Sequence, residues 1–205
     1  MNITVVGTGY VGLTTAVCFA SNGHQIRCVD IDESKIEKIS SGISPIFEEG
    51  MDSLLKKVVQ SGKLTATIDL KNAILNSNIS FICVGTPAGK DGDIDLSQVR
   101  TVSASIGKYL KGYRGRHVVV VKSTVLPGTA EEVVIPELEE NSGLKVIDDF
   151  GVCVNPEFLR EGQAISDFLD PKNTGIVIGE SDNESGDVLA ELYSGFNGSI
   201  LRTFL

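Results

Sequence analysis

Six residues near the start, Gly7-Thr8-Gly9-Tyr10-Val11-Gly12, form a G-x-G-x-x-G run directly after the apolar stretch Ile3-Thr4-Val5-Val6. Between a strand and a helix, such a run can hold a pyrophosphate. Gly7 and Gly9 let the backbone turn tightly and approach the phosphates, the helix N-terminus offers unpaired amides and a favourable dipole, and Gly12 permits close helix–strand packing. The next apolar run, Ile26-Arg27-Cys28-Val29, ends in Asp30, 18 residues after Gly12. A carboxylate there can accept both ribose hydroxyls of an adenosine. No arginine follows in Ile31-Asp32-Glu33, and a carboxylate at this point repels a 2′-phosphate, so the pattern predicts NAD rather than NADP. The competing reading is a cluster of turn glycines with an incidental aspartate.

Three later apolar runs also end in groups that can do chemistry. Cys83-Val84-Gly85-Thr86-Pro87 and Ser123-Thr124-Val125-Leu126-Pro127-Gly128-Thr129 place hydroxyls at strand ends. In an open α/β sheet ligands bind beyond the carboxyl ends of the strands, so Thr86 and Thr124 would face that crevice; each would serve equally well as a turn or helix cap. Asn155-Pro156-Glu157-Phe158-Leu159-Arg160-Glu161-Gly162 brings two carboxylates and a guanidinium to a third strand end. Glu157 and Glu161 are general acid/base candidates if desolvated, or solvated neighbours at i, i+4 on a helix.

The elements that must position these groups follow from the hydrophobic pattern. Short apolar runs bounded by Gly or Asp alternate with helical periods. Strands are expected at 3–6, 26–29, 64–67, 79–84, 117–122, 152–154 and 175–178. Helices are expected at 10–21, 32–40, 51–60, 69–75, 97–110 with Ser97 as its cap, 130–140 with a kink at Pro136, and 187–193. Strands separated by helices predict a doubly wound α/β fold of Rossmann type, a parallel sheet covered on both faces. Residues 85–95 read as one long mobile loop.

Composition agrees with an ordinary globular chain. Of 205 residues, 41% are hydrophobic and 22% charged, and 22 are glycine against a usual share of about 7%. A net charge of -9 with no basic stretch argues against a nucleic-acid surface. No apolar run reaches the roughly 18 residues of a membrane helix, and the first residues lack a basic leader, which predicts a soluble cytoplasmic protein without membrane partners. Cys18, Cys28, Cys83 and Cys153 sit far apart in apolar stretches, and two histidines cannot complete a zinc set, so buried reduced thiols and no metal are expected.

Taken together, the four strand-end blocks, the last extended by Ala164 and Asp167, resemble the N-terminal domain of the nucleotide-sugar dehydrogenases. The UDP-glucose 6-dehydrogenase branch is nearest and the GDP-mannose branch shares much of the pattern. The blocks occur in the family's order across the whole chain. The resemblance implies a four-electron oxidation: the sugar's C6 alcohol, of UDP-glucose in the nearest branch, passes to an aldehyde and then to a carboxylate while two NAD are reduced, a reaction of polysaccharide biosynthesis. By matching motif, Gly7, Gly9, Tyr10, Val11 and Gly12 form the cofactor loop, Asp30 holds the adenosine ribose, Lys35 lies beside the cofactor, and Thr86 and Thr124 contact it. Thr124 and Glu161 would position and activate the attacking water, Glu161 also reaching the cofactor. Glu157, Phe158, Leu159, Arg160 and Glu161 would line the sugar nucleotide. The resemblance also implies a homodimer for the full-length enzyme.

The departures are as informative. The family's covalent chemistry uses a cysteine in a Gly-x-Cys-Phe-Pro-Lys-Asp block, assisted by a lysine and an asparagine on a long central helix; this sequence contains none of these, and its four cysteines match no part of that block. Residues 192–203 resemble the lead-in to the central helix. Residues 1–198 are therefore expected to be the NAD-binding domain and 199–205 the truncated start of the connecting helix, and the fragment is expected to be inactive by itself. The alternatives are the GDP-mannose branch and a stand-alone NAD-binding module without catalysis.

Overall fold

The structure, a computed structural model, describes residues 1–89, 92–170 and 175–205. Eight strands form one sheet: β1 (Asn2–Val6), β2 (Gln25–Val29), β3 (Leu64–Thr67), β4 (Ile79–Ile82), β5 (His117–Val121), β6 (Phe150–Val154), β7 (Ile176–Glu180) and β8 (Ile200–Phe204). Their order is β3-β2-β1-β4-β5-β6-β7-β8. The helices are α1 (Tyr10–Ser21), α2 (Glu33–Ser40), α3 (Met51–Gln60), α4 (Leu70–Leu75), α5 (Ser97–Leu110), α6 (Ile135–Ser142), α7 (Ala164–Leu169) and α8 (Asn183–Leu192). Central strands are apolar on both faces because both are covered: in β5, Val118 and Val120 join one core with Leu13, Phe19 and Leu55, while Val119 and Val121 join the other with Val99, Ile106 and Leu138. The expected doubly wound α/β fold is present. Among the described residues no helix is long and apolar enough to cross a membrane.

The sheet is parallel at every pairing except one. β6 and β7 run antiparallel, with Cys153 opposite Glu180, and β7 and β8 then run parallel to each other. The ten residues of α8 rise about 15 Å, enough to carry the chain back along β7, so β8 starts from the same edge as β7.

Several expected elements shift. Residues 199–205, expected to begin a helix, instead contain β8, paired with β7 from Ile176↔Ile200 to Glu180↔Phe204. The β-branched and aromatic side chains favour the strand, and Arg202 anchors it with Nε 2.8 Å from Glu180 Oε2 and Nη2 3.0 Å from Glu180 Oε1. α7 had no expectation. α8 begins four residues before Asp187, because Asp182 caps it by accepting from the Ser185 amide. Ser97 is the first residue of α5 rather than its cap, and Asp95 Oδ1 accepts its amide at 2.8 Å. Ahead of Pro136 the helix widens to a π turn, Ala130–Val134, in which the Ile135 amide reaches back to the Ala130 carbonyl. Of the expected loop, Lys90 and Asp91 lie outside the described residues; Gly89 N donates to Asp93 O at 2.6 Å beside an Ala88↔Ile94 bridge.

One aromatic cluster ties α1 to the later elements. The fully buried Phe19 ring lies 5.1 Å from Phe168, 5.2 Å from Tyr193, 5.5 Å from Phe81 and 5.8 Å from Phe196 between centroids, mostly edge to face. Phe19→Ala is expected to cost about 3–5 kcal/mol of folding stability, read as a fall in the urea midpoint at unchanged slope. A loss below about 1 kcal/mol would show that α7 and the segment after α8 are not held through this ring.

Candidate functional site

β1, β2, β4, β5 and β6 are mutually parallel, so their carboxyl ends share one edge, and the strand order reverses between β1 and β4. That reversal is where an open α/β sheet forms a crevice. The glycine run occupies it. Gly7 takes φ +94°, and a Cβ on it would lie 2.6 Å from the Cys83 carbonyl oxygen; a Cβ on Gly12 would lie 1.9 Å from the Gly7 oxygen. Neither position has room for a side chain. At Gly9 a Cβ would meet nothing within 4 Å, so the backbone opening α1 faces free space. Gly9 caps the helix without a side-chain bond, which leaves first-turn amides for an anion.

Asp30 closes one side of this turn. Its Oδ2 accepts from the Thr8 amide at 2.7 Å and the Thr8 hydroxyl at 2.6 Å, while Oδ1 accepts from the Asp32 amide at 3.1 Å. Asp32 in turn caps α2 by accepting from Ser34 and Lys35, and the first turn of α2 brings Lys35 Nζ to 3.8 Å from Asp30. Burial alone would raise the Asp30 carboxyl, but the Thr8 and Asp32 bonds and the Lys35 charge outweigh it and hold the group below the usual carboxylate range. Thr8, an unassigned position inside the fingerprint, is thus a supporting residue that spacing alone did not mark.

Tyr10 and the half-buried Val11 sit in the first turn of α1. The Tyr10 hydroxyl donates to Glu48, and the Glu48 carboxylate also accepts from the Gly162 amide at 2.8 Å and the Ala164 amide at 2.8 Å. Burial and the bond to Glu48 raise Tyr10 to about 12. Glu48, itself buried, therefore joins the fingerprint helix to the end of the 155–162 block. Only its place in an acidic Glu48-Glu49 pair before Gly50 marks it in the sequence, and such a pair reads equally well as a solvated loop.

The other strand ends converge. The Thr86 hydroxyl donates to the Thr124 carbonyl at 2.7 Å, and Ser123 Oγ to Val84 O at 2.7 Å, stitching the β4 and β5 ends together. Residues 155–160 are irregular, so Glu157 and Glu161 do not share a helix face as the i, i+4 spacing allowed. The Glu157 carboxylate folds back to accept the Leu159 amide at 2.7 Å, and Glu161 is exposed. Arg160 turns to Asp167, with Nη2 2.6 Å from Oδ1 and Nε 3.1 Å from Oδ2; these bonds, aided by the Arg160 amide, hold Asp167 below its usual range. Phe158 is 46% exposed and Leu159 half-buried. All four cysteines are free and buried. Burial raises each thiol, Cys83 and Cys153 to about 12, so none supplies a thiolate at neutral pH.

Glu48→Ala would strip acceptors from two amides and a phenol. An expected loss of about 1–3 kcal/mol should appear in denaturant unfolding, with faster hydrogen exchange at the Gly162 and Ala164 amides. Unchanged exchange there would mean that the 160–164 turn holds without Glu48.

Comparison with known proteins agrees with this geometry. The family model described as "UDP-glucose/GDP-mannose dehydrogenase family, NAD binding domain" matches residues 1–197. GDP-mannose 6-dehydrogenase of Pseudomonas aeruginosa is 48% identical over 202 residues, 98% of this chain and 46% of that protein. UDP-glucose 6-dehydrogenase of Rhizobium meliloti is 46% identical over 194 residues, 94% of this chain and 43% of that protein. The crystal structure of a ternary complex of the Pseudomonas aeruginosa GDP-mannose dehydrogenase superposes with a TM-score of 0.97 over 100% of this chain and 46% of its own, at 48% identity. A UDP-glucose dehydrogenase of Pyrobaculum islandicum gives 0.92 at 37% identity, over 98% of this chain and 46% of its own. The chain spans about half the length of the curated relatives it matches. The GDP-mannose relatives match this chain somewhat better than the UDP-glucose ones, at 48% against 46% identity and a TM-score of 0.97 against 0.92, which reverses the order in which the sequence resemblance ranked the two branches. The chain belongs to the UDP-glucose/GDP-mannose dehydrogenase family, and residues 1–197 are its NAD-binding domain.

Proposed function

We propose that this chain is the NAD-binding half of a nucleotide-sugar dehydrogenase that oxidises the C6 alcohol of a hexose, carried on a nucleoside diphosphate, to the carboxylate. The observation that carries the reading is the cradle itself: a turn with no room for side chains at Gly7 and Gly12, open space at Gly9, and Asp30 at the end of β2. These residues fit a dinucleotide. First-turn amides of α1 would face its pyrophosphate, and Asp30, with Lys35 beside it, the adenosine ribose. NAD, when bound, supplies the acceptor for hydride leaving C6. Thr86 fixes the Thr124 backbone, so Thr124 is held at the crevice to orient water; Glu161, exposed, is the carboxylate available to take its proton. Residues 157–161 form the edge offered to the sugar nucleotide. The raised thiols of the four cysteines leave nucleophilic thiol chemistry to residues beyond this half.

The 48% identity to GDP-mannose 6-dehydrogenase favours GDP-mannose as the substrate, and the 46% identity to a UDP-glucose 6-dehydrogenase supports UDP-glucose as the second reading. Calorimetric titration of the 205 residues should show NAD binding with NADP much weaker. Asp30→Ala is expected to weaken NAD about tenfold or more, the equivalent of one charge-assisted hydrogen bond of about 1.5–3 kcal/mol. Unchanged affinity would remove Asp30 from the ribose. With NAD and either sugar nucleotide the isolated chain should give no sustained NADH signal, whereas the complete enzyme assayed against both should prefer one. Turnover by these residues alone, at two NADH per sugar, would place the whole chemistry here and overturn the division into halves.

A further inference from the structure

Lys122 directly follows β5 and is 3% exposed. Its ammonium donates to Asn155 Oδ1 at 2.9 Å and lies 5.7 Å from the centroid of Phe168. The same Oδ1 accepts the Tyr193 hydroxyl at 2.6 Å, and Asn155 Nδ2 donates to the Val177 carbonyl at 2.8 Å. Asn155 and Tyr193 are also buried. Two donors converging on one oxygen fix the carboxamide's orientation, because a flipped group would aim its NH₂ at the ammonium. The cation's acceptor is a neutral carboxamide, so its burial is only partly offset. A methionine would fill similar space without that cost. Asn155 begins the segment that carries Glu157 and Glu161, and Thr124 lies two residues beyond Lys122.

We propose that Lys122 is a positioning residue for this reaction: through Asn155, its positive charge fixes the 156–161 segment against the β5 end that bears Thr124. The proposal rests on the nucleotide-sugar dehydrogenase reading for its catalytic consequence but not for its structural one.

Among the described residues, Cys83 from the β4 end and Glu157 from beyond β6 lie nearest the ammonium, and Asp167 from beyond β6 and Tyr193 from beyond α8 line the same cleft. Burial pushes Lys122 down to about 8, with the Glu157 carboxylate favouring the protonated form. Cys83 is pushed up to about 12, Tyr193 is raised further, and Asp167 is held low by Arg160. The charge that changes near pH 8 in this cluster is therefore that of Lys122.

Two measurements test this separately. In the 205-residue chain, backbone amide shifts of Phe158–Gly162 and the Asn155 side-chain amide, followed by NMR from pH 6 to 10, should titrate together with a midpoint of about 8. The titration should be absent in Lys122→Met. Flat shifts in the wild-type chain overturn the proposal even if the variant fails to fold, and so does an unchanged titration in a folded Lys122→Met. In the complete enzyme, kcat should fall about tenfold in Lys122→Met with KM for the nucleotide sugar and NAD affinity within about twofold, and the alkaline limb of the kcat profile near pH 8 should vanish. Wild-type kcat with its limb intact overturns the catalytic role. A wild-type enzyme that oxidises no nucleotide sugar would refute the proposed function instead, leaving the amide titration to decide the role of Lys122.

Discussion

Two absent methyl groups set how closely α1 approaches the sheet, and the site depends on that approach. A Cβ on Gly12 would stand 1.9 Å from the Gly7 oxygen, and one on Gly7 2.6 Å from the Cys83 oxygen. Only with both missing can α1 descend onto the β1 and β4 ends with its N-terminus at the crevice. Its first residue, Tyr10, then reaches Glu48, and Glu48 reaches Gly162 and Ala164. The cofactor turn and the 155–162 segment are therefore not independently placed. They share one buried carboxylate.

The electrostatics of this edge are unusual for a site that takes an anionic dinucleotide. The chain carries a net charge of -9, and the group nearest the turn is itself a carboxylate, Asp30. Attraction cannot come from a basic surface. In the proposed binding mode it would come from backbone amides at the α1 terminus, a helix dipole and Lys35, while Asp30 is satisfied by Thr8 and Asp32. Oriented dipoles give selectivity for geometry as well as charge, and in the proposed mode a carboxylate beside them would repel an extra phosphate at the 2′ position.

The readable part of this arrangement was whatever local sequence rules dictate. Gly7, Gly9, Gly12 and Asp30 are fixed by the turn and strand they must form, and the β5 valines announce a strand buried on both faces. What escaped depends on partners distant in the chain. Glu48 acquires meaning only when Tyr10 and Gly162 arrive beside it, 38 and 114 residues away. Lys122 reads as a strand-end lysine until Asn155 and Tyr193 surround it. The i, i+4 spacing of Glu157 and Glu161 suggested a helix, but the Glu157 side chain satisfies the Leu159 amide locally and the backbone stays irregular. Residues 199–205 read as the start of the connecting helix because their resemblance is to a sequence, whereas pairing with β7 is decided by the free edge available to them.

The course of the chain after β6 joins the glycine turn to the 155–162 segment. In a regular βαβ crossover the chain leaves the carboxyl edge after each strand and returns along a helix, so each strand end contributes only a short loop to the crevice. After β6 the chain stays at that edge through residue 163, and the short α7 packs on α1 through Phe168 and Phe19. The Arg160 pairing with Asp167 closes this excursion on itself. One continuous stretch, Asn155 to Leu169, thereby reaches from buried Lys122 to the helix that carries the glycine turn.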